Sequence, residues 1–170
     1  MGNAPAWKSG RGLLGPLKPL LGRWEAKAAG PGAASQMRCT RSFEPALGGG
    51  WIRLGARWEM GADRAYEELA LFGKGEDGAL SFFSFTSDGE SSRGRLADGS
   101  DVHPQAIAFE AQMPAGLARM IYWPAEEEGF YFAVESSTKK GWNRFMRHHY
   151  RALDAEQASI LRENIPLNRP

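Results

Sequence analysis

The chain has 170 residues, with 21 basic and 20 acidic side chains, for a formal net charge of +1. A protein that lives by gripping phosphate backbones carries a basic excess, so nucleic acid is not an expected partner. At 42% hydrophobic and 24% charged residues, the composition excludes a disordered chain and a membrane-embedded one.

The length suits one domain with a real core. Cys39 is the sole cysteine, so no disulfide or thiolate cage can form within one chain. A lone thiol fits a reducing compartment, and the expected location is the cytoplasm. Residues 1–12 are small, polar and glycine-rich, and read as a disordered tail. The apolar stretch Gly12–Gly22 is broken by Pro16, Lys18 and Pro19, which spoils it as a secretory or membrane-spanning segment. Within it, "PLKPLLG" predicts one helical turn, opened by Pro16 and stopped by Gly22.

From Trp24 to Leu153 the chain becomes a series of ten short runs. They include "RWEAKAA", "SQMRCTRSFE", "GWIRLGARWEM", "AYEELALFGK" and, last, "NRFMRHHYRAL". Between them stand turn signals such as "GPGA", "GEDG", "SDG" and "ADGSD". Short strands at even spacing with tight connections predict antiparallel neighbours. The expected fold is all-β: a single antiparallel up-and-down β-barrel of about ten strands over residues 13–153, with a β-sandwich as the alternative. Closure removes the exposed edges of an open sheet. Residues 154–170 are expected to form a short helix or arm, with Ile160 and Leu161 packed on the barrel.

Alternation assigns the faces, because successive strand residues point to opposite sides. Ile52, Leu54, Ala56, Trp58 and Met60 should face inward, as should Ile107, Phe109, Ala111 and Met113, and Phe130, Phe132 and Val134. Arg41 shares parity with Met37, Cys39 and Phe43. Arg119 shares parity with Leu117, Ile121 and Trp123. In the last run, Arg144, Met146, His148 and Tyr150 share one face. The paired His148 and His149 therefore point to opposite sides of the wall and cannot ligate one metal from inside it.

The segment "LLGRWEAKAAGPG" resembles the Gly-x-Trp opening of the calycin superfamily, which includes lipocalins, fatty-acid-binding proteins and nitrobindins. The stretch from "LGGGWIRLGARWEM" to "SSRGRL", with the closing "HHYRAL", is similar to an uncharacterised bacterial calycin-like family. The resemblance spans about Leu17 to Leu153. It implies that Trp24 closes one end of the barrel and packs on a basic side chain from the last strand, Arg147 or Arg151. It also implies a small hydrophobic ligand in the interior. Nitrobindins hold haem through a histidine on a late strand, which makes His148 the residue to consider here, although its spacing to the closing tyrosine is shorter. The fatty-acid-binding relatives hold a carboxylate with Arg and Tyr two residues apart on the last strand. In this chain those positions carry His148 and Tyr150.

The reading that follows is a barrel binding a small, mainly apolar molecule that carries an acidic group. Expected ligand-binding residues are Trp58, Met60, Phe109, Met113, Ile121, Phe132, Met146, His148 and Tyr150, with Arg41 or Arg119 as the cation. A cation on an apolar face needs a partner, either a buried carboxylate such as Glu68 or a ligand anion. Two alternatives stand beside it: a haem protein or enzyme using His148, and a ligand-free barrel that dimerises through Trp51, Tyr131 and Trp142. No catalytic residues, resident cofactor or metal ligands are expected. There is no nucleophile elbow or phosphate loop, and "AEEEG" lacks the alternating oxygens of a calcium loop.

Overall fold

A strand with one apolar face must bury it, and ten such strands joined by tight turns can do so by curling until first and last meet. The computed structural model describes residues 6–29, 36–61 and 63–153. The strands are β1 (Gly22–Ala29), β2 (Gln36–Ala46), β3 (Trp51–Glu59), β4 (Ala65–Lys74), β5 (Leu80–Thr86), β6 (Ser91–Ala97), β7 (Ile107–Met113), β8 (Gly116–Pro124), β9 (Phe130–Thr138) and β10 (Gly141–Ala152). Each pairs antiparallel with its chain neighbours, and β1 pairs with β10, closing the barrel. The expected up-and-down barrel is thus observed. No described helix is long and apolar enough to cross a membrane. The expected C-terminal helix falls outside the described residues.

The two ends of the barrel differ. At the end where β1 begins, a short 3₁₀ helix (Gly15–Leu20) drops Leu17 and Leu20 completely out of solvent. Pro16 at its start supplies the fixed φ that favours this turn, as the sequence predicts. The Trp24 indole N–H donates to the Leu20 carbonyl at 2.7 Å, and its ring meets Phe130 edge-on at 4.9 Å. Phe43, Tyr122 and Tyr150 complete an aromatic plug. Part of the expected loose tail is tied down over this end. The Trp7 N–H donates to the side chain of Gln105, whose amide donates back to the Trp7 carbonyl. Gly129 lies in the β8–β9 turn at the same end with φ of 75°, and a Cβ there would run into the Tyr150 carbonyl. That turn requires glycine.

Two expected faces are corrected. Arg119 and Ile121 do not point into the barrel. In register, Ala108, Ile121 and Ala133 share the outer face, while Phe109, Met120 and Val134 share the inner one. Segment 98–106 lies over this patch, with Val102 and Ala106 packed on it. Both faces of β8 are therefore apolar, and alternation loses its power to tell inside from outside. The second correction is Arg144. The β9–β10 register slips between Arg144 and Met146, so Arg144 stands opposite outward Glu135 and Met146 opposite inward Val134. The extra residue of this β-bulge is Phe145, left 64% exposed.

Candidate functional site: an open cavity above a buried arginine

The far end of the barrel is not plugged. A cavity of about 580 Å³ opens there, within the size range of small-molecule sites. Met37 on β2, Met60 beyond β3, Met113 on β7, Met120 on β8 and Met146 on β10 all line it. These are all the methionines of the chain except Met1. Thioether side chains are unbranched and polarisable, so such a wall adapts to the shape of an apolar guest. Trp58, Tyr66, Phe132 and Val134 add aromatic and aliphatic surface, and Phe145 stands at the mouth. Glu68, Ser84 and Thr86, with Asp88, Glu90, Ser91 and Ser92 from the β5–β6 turn and the start of β6, supply the polar part of the lining.

Beneath this cavity lies Arg41, its side chain fully buried. The guanidinium sits 3.9 Å over the centre of the Phe132 ring, with the Trp58, Tyr122 and Tyr150 rings within 6 Å. Such stacking suits a delocalised, weakly hydrated cation. Its Nη2 donates to the Tyr122 hydroxyl at 3.0 Å and lies 3.7 Å from Glu68 Oε2. Glu68 Oε1 accepts a hydrogen bond from the Ser84 hydroxyl at 2.8 Å. Burial works against the charge on Arg41, but the oxygens of Tyr122 and Tyr150 and the Glu68 carboxylate outweigh it, so its pKa moves upward and it stays a cation. Around it are buried polar atoms without a hydrogen-bond partner: Arg41 Nε and Nη1, Trp58 Nε1, His148 Nδ1 and the Tyr150 hydroxyl. Native interiors rarely leave such atoms unpaired.

The other arginine with a buried side chain is a useful contrast. Arg119, on the outer face of β8, donates to Glu135 Oε1 at 2.8 Å and bidentately to Asp101 at 2.8 and 2.9 Å. Its ring neighbour is Trp142, at 4.4 Å. Burial opposes its charge too, but the bonds to Asp101 and Glu135 raise its pKa overall, and its bond lowers that of Asp101. Arg119 is a latch for segment 98–106 and lies behind the wall from the cavity.

Of the expected ligand-binding residues, the structure brings Trp58, Met60, Met113, Phe132 and Met146 together around the cavity. Arg41 and Tyr150 stand deeper, and Phe109 is packed in the aromatic core against Phe72 and Phe82. His148 faces inward as expected, and His149 faces outward, its ring 4.9 Å from Tyr131 and its Nε2 2.8 Å from the Glu128 carbonyl. Neither Arg147 nor Arg151 stacks on Trp24. Arg147 lies over Tyr131 on the outside, and Arg151 pairs with Glu128 at 3.4 Å. Register puts both on the opposite side of the wall from Trp24, which stands across from Ala152 while Arg151 stands across from Glu25. Sequence reasoning missed Tyr122, the direct partner of Arg41, and Met120. Both follow from the misread parity of β8. The outer aromatics each have partners within the chain: Trp51 packs on Phe83, Tyr131 on Trp123, and Trp142 under Arg119.

Two buried titratable groups have environments that disfavour charge. Burial pushes the Cys39 thiol up to about 11, against the pull of Arg41, so it is a small core residue and not a nucleophile. Burial and the neighbouring Arg41 both lower the pKa of His148 below the usual 6.5. The unfolded chain then binds a proton in acid that the folded barrel refuses. His148 therefore favours folding above pH 6.5, and this contribution is lost as pH falls through the folded value. Urea titrations of His148→Gln and the parent should diverge below pH 6.5, with the parent losing up to about 1.4 kcal/mol more per pH unit. Parallel curves would contradict this placement.

No family model and no curated protein matches the sequence. Among the described residues, no group of three or more His, Cys, Asp or Glu side chains could hold a metal ion.

Proposed function

We propose that the chain binds a small, mainly apolar molecule in the open half of its barrel. One observation carries this reading: every methionine after Met1, drawn from five separate places in the sequence, converges on a single cavity. A barrel that needed only a filled interior has a better option in branched aliphatic side chains, which pack to one shape and leave no cavity. The mouth supports it too, since Phe145 and Met60 put apolar surface in solvent beside the opening.

The test is a titration with the neutral fluorophore N-phenyl-1-naphthylamine. We expect saturable enhancement at one probe per chain, and its loss in Val134→Trp, which fills the cavity. Enhancement that does not saturate, or that survives the filled cavity, would overturn the proposal. Haem fits less well. His148 is the inward imidazole, but it stands beside the Arg41 cation and outside the lining of the cavity.

A further inference from the structure

We propose that the guest is a protonated amine on an apolar body, with its cation against the carboxylates of the β4–β5–β6 wall and its tail among the methionines. This rests on the cavity accepting an apolar molecule. It assigns that molecule's polar end a charge opposite in sign to the one the sequence suggested.

The cavity and its methionine wall make the site, and the charges that face it set what enters. Glu68, Asp88 and Glu90 line the cavity, and no lysine, arginine or histidine does. Arg41 is close but screened. Phe132 and Glu68 belong to the lining and Arg41 does not, so a guest meets the ring and the carboxylate before the guanidinium. The Glu68 side chain is 10% exposed, and its Oε1 takes the hydrogen bond from Ser84. Its Oε2 lies 3.7 Å from Arg41 Nη2, too far for a hydrogen bond. Buried acceptors seldom stay unpaired, and an N–H donor on the guest is what this oxygen lacks.

The three acids lie along one side. Glu68 on β4 stands across from Thr86 on β5, and the Thr86 hydroxyl donates to Asp88 Oδ1 in the following turn. The Glu90 N–H donates to the same oxygen at 3.2 Å. These two bonds hold the Asp88 carboxyl below the usual carboxylate pKa, so it stays an anion at neutral pH. On the outside of the neighbouring strands the acids are paired: Glu44 with Arg53, Glu67 with Arg57, and Asp77 with Arg95. Among the described residues, Asp88 and Glu90 form no ion pair. Like charges gathered at the opening of an apolar cavity draw a cation and repel an anion. The ring faces of Tyr66 and Phe145, also in the lining, attract an ammonium too.

The experiment uses the full chain at neutral pH and low salt. It compares dodecylamine, 1-dodecanol and dodecanoate as displacers of N-phenyl-1-naphthylamine. Dodecylamine should compete about 3- to 10-fold more tightly than the alcohol, the range for two ion pairs at a water-exposed rim, and dodecanoate more weakly than the alcohol. The double variant Asp88→Asn, Glu90→Gln should remove most of the amine's advantage and leave the alcohol and the probe unchanged. Both positions are exposed, and unchanged probe binding shows that the variant is folded. In the parent, raising salt should shrink the advantage as well, because exposed charges are screened. An amine no tighter than the alcohol, a dodecanoate tighter than either, or an advantage undiminished in the double variant would overturn the charge assignment while leaving the apolar cavity standing. Failure of all three displacers and of the probe itself would overturn the cavity reading as well.

Discussion

Phe130→Ala should lower the unfolding free energy by about 3–5 kcal/mol, the range for truncating a buried aromatic. Phe130 is fully buried and sits at the centre of the closed end. It stacks on Tyr150 at 5.3 Å and meets Trp24 at 4.9 Å, Tyr122 at 5.7 Å and Trp7 at 6.4 Å. These neighbours come from β1, β8, β10 and the N-terminal segment, so they cannot all collapse into the hole at once. Incomplete collapse is what puts such substitutions at the high end of their range. The fold that remains should still bind the naphthylamine probe, because the cavity lies at the opposite end. Urea denaturation measures the loss, and a change below about 1 kcal/mol would show that the plug does not hold the barrel closed.

Glu135→Leu should cost about 3–5 kcal/mol by stranding the buried charge of Arg119. Glu135 is 3% exposed and takes bonds from both Arg119 and Arg144. Arg144 is partly exposed and can turn to water, but Arg119 is 2% exposed and keeps only Asp101. The double variant Arg119→Met, Glu135→Leu should recover most of the loss, since an apolar pair of similar volume carries no desolvation penalty. No recovery would mean that Arg119 acts through its bonds to Asp101 and segment 98–106. By contrast, the exposed pairs along β2, β3 and β4, such as Arg53–Glu44 and Arg57–Glu67, should each contribute less than about 1 kcal/mol.

The barrel was legible because its strands are short, evenly spaced and punctuated by residues with specific turn chemistry. Where one face meets water, alternation also gave the inner residues. "WIRLGARWEM" places Ile52, Leu54, Ala56 and Trp58 in the core, as the pattern requires. The same rule put Arg41 inside and suggested Glu68 as its partner. It failed in two places for two physical reasons. On β8 a covering loop makes both faces apolar, so Tyr122 and Met120 were hidden behind Ile121 and Trp123. On β10 a bulge shifts parity midway, which no count of alternate residues can reveal. Trp24 failed differently. It lies at the closed end, where its ring meets Phe130, a residue far away in sequence on β9, while Arg147 and Arg151 of the last strand pair elsewhere. Alternation gave several of the residues that line the cavity, among them Trp58, Met60, Met113, Phe132 and Met146, but not which end of the barrel stays open. Whether an interior is filled depends on barrel width and on where the aromatics cluster, and here they gather at one end.

The central claim is that the open half of the barrel holds an apolar guest, and the methionines report on it directly. Protein labelled at the methionine methyl carbons should show six signals, one from each methionine of the chain. On saturation with 1-dodecanol, the signals of Met37, Met60, Met113, Met120 and Met146 should all shift. A spectrum in which none shifts, or in which only Met60 at the mouth responds, would contradict the account.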